Sequence, residues 1–232
     1  MNTIGIIGAM EDEIRQLRDK LEAPEVKRKA SMDFYRGTLH GKQVVVVRSG
    51  IGKVNAAVCT QILVDDYQVE AVINTGIAGS LRAEINIGDI VLATDTLQHD
   101  MDATEFGYPK GQIPQMDILA FPADRELTRL AEEVCRRVNP DIQVFCGRIV
   151  SGDQFVADSR VKERITQEFA GYCTEMEGAA IGQTAWLNGI PFLIVRAISD
   201  KADDSAHVDY PTFEREAIEH EVRLTENLLK SL

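Results

Sequence analysis

The sequence predicts an α/β fold in which helices flank one central mixed β-sheet. Short runs rich in valine and isoleucine alternate with helical stretches along all 232 residues. Continuous apolar runs of this length are typical of strands buried on both faces, and their alternation with helices favours a largely parallel or mixed sheet. Because no change in composition marks a linker, we expect a single domain spanning residues 1–232.

The individual elements follow from the positions of these runs. Apolar runs predict strands at 3–8, 43–49, 70–75, 88–94, 143–150, 172–176 and 191–198. The stretches between them predict helices at 11–22, 52–66, 124–138, 160–169, 177–188 and 212–231. Pro211 stands at the predicted start of the last helix, where proline is favoured. The stretch 98–122 has little periodicity and is predicted to be one long excursion, of the kind that forms lids or contacts a second chain.

Charge and cysteine content exclude several classes of protein. The chain has 37 acidic and 25 basic residues and a net charge of -12, which disfavours nucleic acid and anionic membrane surfaces as partners. The amino terminus lacks the basic start of a signal peptide, and no apolar span is long enough to cross a bilayer. The 4 cysteines form no C-x-x-C pair, so we expect a cytoplasmic protein with reduced thiols.

The strand predicted at 191–198 delivers Arg196, Ser199 and Asp200 to one rim of the sheet. In parallel α/β sheets, ligands bind at the rim where the carboxyl ends of the strands open. An apolar strand has no packing use for an aspartate directly after it. Asp200 is therefore the first candidate for a catalytic group, with helix capping or a loop hydrogen bond as the alternative.

The first predicted helix supplies a second carboxylate, Glu13. Its buried stripe consists of apolar residues at i, i+4, i+7 and i+11, namely Met10, Ile14, Leu17 and Leu21. Glu13 borders this stripe, and it lies at the same rim as Asp200 if the first and last strands are parallel. It is then either a general base or a carboxylate that stabilises the helix N-terminus.

Two further segments place suitable groups near this rim. Glu177 begins a helix of small residues that leaves little water around it, so its partners are either a sugar diol or backbone N–H groups. Phe155 follows the strand at 143–150 and could stack on a planar base while the Val156 backbone reads the edge of that base. A core phenylalanine is the alternative for Phe155.

No cofactor or metal is predicted. The glycine-rich segments 49–53 and 75–80 are expected to be turns after strands, and neither fits a P-loop. The segment 5–8 lacks the third glycine of a dinucleotide fingerprint. The acidic and histidine residues within 99–102 and 200–207 match no oxygen cage for a metal ion.

In chain order, a set of motifs resembles those of bacterial 5'-methylthioadenosine/S-adenosylhomocysteine nucleosidases, within the nucleoside phosphorylase type I superfamily. The motifs are Gly8-Ala9-Met10-Glu11-Asp12-Glu13, Ser49-Gly50-Ile51-Gly52-Lys53-Val54, Asn74-Thr75-Gly76-Ile77-Ala78-Gly79, Ser151-Gly152-Asp153, Glu175-Met176-Glu177 and Arg196-Ala197-Ile198-Ser199-Asp200. The resemblance covers essentially the whole chain. It implies a single-domain nucleoside phosphorylase-like fold, a homodimer without a cofactor, and a role in methionine salvage.

The implied reaction is hydrolysis of the N-glycosidic bond of 5'-methylthioadenosine and S-adenosylhomocysteine, with 5'-deoxyadenosine as a further candidate substrate. It releases adenine and a 5-thioribose product. By resemblance, Asp200 would protonate N7 of adenine, and Glu13 would activate the attacking water. Glu177 with Met176 would hold the ribose hydroxyls.

The resemblance also implies the remaining substrate contacts. Phe155 would stack on adenine, and the Val156 backbone would contact its edge. Arg196 and Ser199 would support Asp200. Further substrate-binding positions are Ile77, Ala78, Gly79 and Glu175. The apolar 5'-alkylthio pocket would be formed by Met10, Ile51 and Tyr210 and, from the partner chain, by Ala103, Phe106 and Pro114.

Three alternatives remain at this point: a phosphorylase of the same fold, an aminodeoxyfutalosine nucleosidase and a non-catalytic nucleoside sensor. The phosphorylases place a phosphate-clamping arginine where this chain has Thr75, and the acidic run 11–13 would repel phosphate, so water is the expected nucleophile. Many members of the family have serine where this chain has Ile77, which keeps aminodeoxyfutalosine as a candidate substrate. The presence of both Glu13 and Asp200 argues against a sensor, because binding alone does not require both.

Overall fold

The α/β architecture predicted from the sequence is confirmed in the computed structural model, which describes residues 3–232 and the side chains of all of these except residues 208 and 211. The strands are β1 (Thr3–Gly8), β2 (Glu22–Lys29), β3 (Met32–Leu39), β4 (Lys42–Arg48), β5 (Ala71–Ser80), β6 (Ile90–Gln98), β7 (Phe121–Pro122), β8 (Val144–Ser151), β9 (Cys173–Glu175) and β10 (Phe192–Asp200). The helices are α1 (Glu11–Arg18), α2 (Lys53–Tyr67), α3 (Arg125–Val138), α4 (Ser159–Phe169), α5 (Gly178–Leu187) and α6 (Ala206–Ser231).

Within the described residues, the strands form one mixed 10-stranded sheet in the order β10-β6-β8-β9-β5-β1-β4-β3-β2, with β7 paired to β6. An additional pairing of β10 with β5 closes five of these strands, β5, β10, β6, β8 and β9, into a ring. Both β1 and β10 run parallel to β5. The first turn of α1 and the end of β10 therefore lie at the same rim, as the argument for Glu13 and Asp200 required.

The helices cover the sheet on both faces and bury its apolar side chains. Helices α1, α3 and α6 share one core with β1, β5 and β10, in which Ile6, Ile73 and Val195 are buried. Helices α2 and α5 pack together over the other face, around Cys59 and Ile181. Because helices cover both faces of the sheet, the sequences of β1, β5 and β10 are continuous apolar runs. These runs are why the strands could be predicted.

The prediction omitted the hairpin of β2 and β3. Strand β2 is exposed along its whole length and carries charged residues, so it has no apolar run to reveal it. Strand β3 alternates between buried and exposed positions and pairs antiparallel with both β2 and β4. Helix α1 consequently ends at Arg18, and the predicted extension to residue 22 was wrong because β2 starts there.

Two further predictions require correction. The segment Thr75–Ser80 was predicted to be a turn, but it is the second half of β5, because its amides and carbonyls pair with β10 and β9. Helix α6 begins at Ala206 instead of residue 212, so Pro211 lies inside the helix. A single proline removes one amide donor without ending the helix here.

The excursion predicted at 98–122 is largely irregular. It contains a 3-10 turn at Thr104–Phe106 and ends in the short strand β7. Phe106 lies at the tip of this segment with 84% of its surface exposed, whereas Ala103 is buried. Among the helices of residues 3–232, none combines the length and apolar character needed to span a membrane.

Candidate active site

A cavity of about 460 Å³ opens at the rim where β1, β5 and β10 end. Its polar wall includes Glu13, Glu175, Glu177, Ser199 and Asp200. Its apolar wall comes from several elements, through Met10 and Ile51, Ile77 and Ala78, Phe155 and Val156, and Met176 and Tyr210. Segments far apart in the sequence thus bring most of the predicted site residues into one cavity.

Five of the predicted site residues lie elsewhere. Gly79 and Arg196 are buried behind the wall, where they contact residues that line it. Ala103, Phe106 and Pro114 belong to the excursion, outside the cavity. Their expected contact with a neighbouring site stays a prediction.

Three lining residues were not predicted: Ala9, Gln154 and Thr174. Ala9 and Gln154 could have been predicted, because they directly precede Met10 and Phe155, which were predicted site residues. Thr174 lies in the short strand β9 and gives no chemical signal of its own.

Glu13 is held by three backbone amides. Its Oε2 accepts hydrogen bonds from the amides of Ala9 at 2.7 Å and Met10 at 2.9 Å, and its Oε1 accepts one from the amide of Ile77 at 3.2 Å. Burial raises the pKa of Glu13, while Arg196 and these amides oppose the rise. Glu13 therefore caps the start of α1, as one interpretation of the sequence expected, and its carboxyl faces the cavity, while its role as a general base stays a prediction.

Asp200 is the last residue of β10 and is buried. Its Oδ2 accepts a hydrogen bond from Ser199 Oγ at 2.9 Å, and its Oδ1 accepts one from the amide of Ala202 at 2.7 Å. Burial raises the pKa of Asp200, and the negative charges of Asp209 and Asp203 add to the rise. The hydrogen bonds from Ala202 and Ser199 oppose this rise.

Gly79 permits this placement of Asp200. A Cβ atom at position 79 would lie 2.7 Å from Asp200 Oδ1 and 2.8 Å from Ala202 Cβ. Both distances are too short for any residue with a side chain, so the carboxyl can approach β5 only because position 79 is glycine.

Glu177 precedes α5 and turns toward the loop before α2. Its Oε1 accepts a hydrogen bond from the Gly52 amide at 2.8 Å, and its Oε2 lies 3.9 Å from Arg196 Nη2. Gly52 adopts a φ of 98°, which disfavours residues with side chains. Burial raises the pKa of Glu177 to about 8, and the charge of Glu175 contributes to the rise.

Glu175 on the cavity wall and Arg196 behind it form a buried ion pair. Arg196 donates from Nη2 and Nε to Glu175 Oε2 and from Nη2 to Asn74 Oδ1. Burial alone would raise the pKa of Glu175, but Arg196 and a hydrogen bond from Ser151 lower it overall. Arg196 thus faces Glu175 and Glu177. The sequence predicted that it supports Asp200, but the described residues show no direct contact between the two side chains.

Aromatic rings border the mouth of the cavity. Phe155 is exposed, which argues against its being a core phenylalanine, and it meets Tyr210 edge-on at a centroid distance of 5.7 Å. The Tyr210 hydroxyl lies 3.3 Å from both Met10 Sδ and Glu214 Oε1. A second ring, that of His207, lies 6.0 Å from Phe155, so the mouth of the cavity is lined by aromatic surface of the kind on which a planar ligand stacks.

The described residues contain no group of three or more His, Cys, Asp or Glu placed to hold a metal ion. Just after β10, Asp203 instead accepts hydrogen bonds from the amide and the hydroxyl of Ser205.

Known proteins resemble this chain over its full length. A family model described as "Phosphorylase superfamily" matches residues 3–232. A 5'-methylthioadenosine/S-adenosylhomocysteine nucleosidase from Bacillus cytotoxicus is 44% identical over 230 residues, which cover 99% of each protein.

Solved structures share the fold closely. The nucleosidase of the same name from Neisseria meningitidis, in complex with methylthio-immucillin-A, superposes with a TM-score of 0.96 at 39% identity and covers 100% of both chains. The futalosine hydrolase of Helicobacter pylori superposes with a TM-score of 0.94 at 31% identity and covers 100% of this chain and 98% of that one.

Proposed function

The chain belongs to the phosphorylase superfamily, and we propose that within it the protein is a nucleosidase that hydrolyses the N-glycosidic bond of 5'-methylthioadenosine and S-adenosylhomocysteine. The resemblance inferred from sequence and the nucleoside phosphorylase-like fold are both confirmed by the relatives described above. We further propose that the enzyme acts in the cytoplasm in methionine salvage, where its free cysteine thiols remain reduced.

The observation that carries the proposal is the placement of Glu13 and Asp200 on one cavity. Glu13 Oε1 lies against Gly76, and Asp200 Oδ1 lies against Gly79. Both carboxyls thus lie beside the same half of β5 and line one cavity, where one can act as an acid and the other as a base.

The chemistry needs an acid and a base at these two ends. Breaking the bond builds positive charge on the sugar and negative charge on the departing purine. Asp200 donates its proton to N7 of adenine, and Glu13 accepts a proton from the water that attacks C1'. Adenine and a 5-thioribose product are released, and 5'-deoxyadenosine fits the same scheme.

The other groups of the cavity orient the nucleoside. The two oxygens of Glu177 can accept the ribose hydroxyls beside Met176, and Phe155 provides the stacking face for adenine next to the Val156 backbone. Met10 and Tyr210 provide an apolar surface for the 5'-alkylthio group.

Water is favoured over phosphate as the nucleophile because Glu13 occupies the groups that an anion would need. The amides of Ala9, Met10 and Ile77 all donate to Glu13, and Arg196 is bound to Glu175. A phosphate dianion at this end of the cavity would meet a carboxylate instead of free donors.

We therefore expect adenine release from 5'-methylthioadenosine in buffer free of phosphate, with no acceleration when phosphate is added. Ultraviolet absorbance with a coupled assay for free adenine measures this directly. Release that depends on phosphate would identify a phosphorylase, and tight binding without release would identify a sensor.

Ile77 and the futalosine hydrolase relative together favour aminodeoxyfutalosine as a second candidate substrate. Ile77 contributes an apolar side chain to the cavity next to the amide that binds Glu13, and the Helicobacter pylori protein shares the whole fold. Comparing kcat/KM for aminodeoxyfutalosine and 5'-methylthioadenosine under the same conditions decides between them.

The enzyme works as a homodimer in this proposal, with Ala103, Phe106 and Pro114 reaching the neighbouring site. Apolar side chains are exposed on α2, on α5 and in the excursion: Val54, Val58, Trp186, Leu187 and Phe106. Ile51 at the cavity mouth is exposed and adjoins the start of α2. Exposed apolar surface next to an open cavity is typical of a protein–protein interface.

Val54→Asp is expected to convert the dimer to a monomer, because it would bury a charge without a partner in the interface. Val54 is 75% exposed in the single chain. Analytical ultracentrifugation measures the mass, and Val26→Asp, at a valine that is 57% exposed on β2, is the matched control. A Val54→Asp protein as dimeric as the control would refute this interface.

A further inference from the structure

A fifth carboxyl, Glu221, lies close to the site but outside the cavity. It is fully buried on α6, and its Oε1 accepts a hydrogen bond from the Gly76 amide. Its Oε2 makes no hydrogen bond to any described residue. A buried carboxylate oxygen without a partner is costly, whereas a protonated oxygen at the same place costs much less.

Gly76 connects Glu221 to Glu13. The next amide along β5, that of Ile77, donates to Glu13 Oε1 at 3.2 Å. A Cβ atom at position 76 would lie 2.8 Å from Glu13 Oε1 and 3.0 Å from Arg196 Nη1. Glu221 thus binds the Gly76 amide of the same short stretch of β5 against which Glu13 and Arg196 rest.

The charge balance around this stretch disfavours ionising every carboxyl, because Glu177 also lies 3.9 Å from Arg196 Nη2, beside the Glu175 ion pair. Arg196 and several donors lower the pKa of Glu175, and three amides and Arg196 oppose the rise that burial causes in the pKa of Glu13. Glu221 is compensated by the Gly76 amide and the Thr75 hydroxyl, and its Oε2 has no hydrogen-bond partner among the described residues. If Glu221 were ionised together with Glu13 and Glu175, the single guanidinium of Arg196 could not balance all three charges. One buried anion would then lack a compensating cation.

We propose that Glu221 is a positioning residue for Glu13: it carries a proton at neutral pH and fixes the Gly76–Ile77 segment that donates to Glu13. This inference rests on the proposed role of Glu13 as the base. A neutral Glu221 holds the backbone without adding negative charge, so Glu13 can remain ionised and accept a proton from water.

The groups that face Glu221 are consistent with this state. Burial raises the pKa of Glu221 to about 8, the charge of Glu13 on α1 adds to the rise, and Thr75, Arg196 and Gly76 oppose it. Helix α3 contributes apolar side chains to this core. On α6 itself, Thr225 approaches Thr75, and His220 faces the Gly88 carbonyl and Asp141.

Protonation is tested by the thermal stability of Glu221→Gln across pH. Because the folded pKa lies above the ordinary value of 4.5, the wild-type protein holds this proton more tightly when folded. That contribution is full below the unfolded pKa and is lost as pH rises through the folded value. The Tm of Glu221→Gln minus that of wild type should therefore rise by about 4 °C or more between about pH 5 and pH 9.

The matched control is Glu219→Gln, at an exposed position on the same helix, whose difference from wild type should stay flat with pH. A flat difference for Glu221→Gln as well would show that Glu221 is already ionised, and would overturn the proposal. Since this readout needs no substrate, it stands apart from the proposed nucleosidase activity.

Positioning is tested by kinetics. Glu221→Ala leaves the Gly76 amide without its acceptor, so kcat should fall by about tenfold or more with little change in KM. Glu221→Gln keeps the acceptor and should restore kcat to within about threefold of wild type at neutral pH. Equal losses in the two variants would mean that the charge of Glu221 matters, and would contradict the proposal.

Discussion

Asp200→Asn is expected to lower kcat by about 10²–10⁴-fold, the usual contribution of a general acid. Asparagine has nearly the same shape, and its oxygen can still accept the hydrogen bond from the Ala202 amide that Asp200 Oδ1 accepts now. It has no acidic proton for N7 of adenine. The departing purine must then leave as an anion, which raises the barrier while the binding contacts persist.

Steady-state kinetics and a separate measurement of substrate binding by calorimetry distinguish these effects. The dissociation constant should stay within about tenfold of the wild-type value, which corresponds to about 1.4 kcal/mol. Asp204→Asn, at an exposed position four residues along the chain, is the matched control and should be fully active. Turnover by Asp200→Asn at the control's rate would remove Asp200 from its role.

Glu13→Gln should reduce kcat by about 10²–10⁴-fold as well, because the water would lose its base. The glutamine oxygen can keep some of the amide hydrogen bonds that Glu13 accepts, but its NH₂ group would face amide donors from Ala9 and Met10. The loss should appear in kcat at every pH. Asp12→Asn, at an exposed residue of the same helical turn, should behave as wild type.

The stability of Glu13→Gln separates loss of chemistry from loss of folding. Burial raises the pKa of Glu13, so the folded protein binds this proton more tightly than the unfolded chain. The resulting stabilisation is present at low pH and is lost as pH rises through the raised pKa. We therefore expect the Tm of the variant relative to wild type to increase with pH. Low activity that tracks a low Tm at all pH values would assign Glu13 a purely structural role.

The two carboxyls proposed to be catalytic could be located from sequence because their positions are unusual for packing. Asp200 ends an apolar strand, and Glu13 borders the buried stripe of the first helix. Parallel pairing then places both at one rim. Glu177 was found in the same way, although the sequence could not show that its partner in this structure is the Gly52 amide.

The parts that sequence reasoning missed depend on long-range contacts. Strand β2 has no apolar run, so only its pairing with β3 defines it. Arg196 was expected to support Asp200, but its ion-pair partner Glu175 lies on β9, which pairs with β8 and β5 and approaches Arg196 only in the folded sheet. The position of Glu221 near the site could not be predicted from sequence. Its helix has an ordinary amphipathic pattern, and its hydrogen bond with the Gly76 amide joins α6 to β5, which are far apart in the chain.

The central claim is that two carboxyls act on one glycosidic bond from opposite sides, and a crystal structure with a non-hydrolysable 5'-methylthioadenosine analogue tests it most directly. The account predicts an Asp200 oxygen within hydrogen-bonding distance of the purine N7 and a water held by Glu13 on the far face of the sugar at C1'. A nucleoside bound with its purine away from Asp200, or with Glu13 out of reach of any water facing C1', would contradict the account.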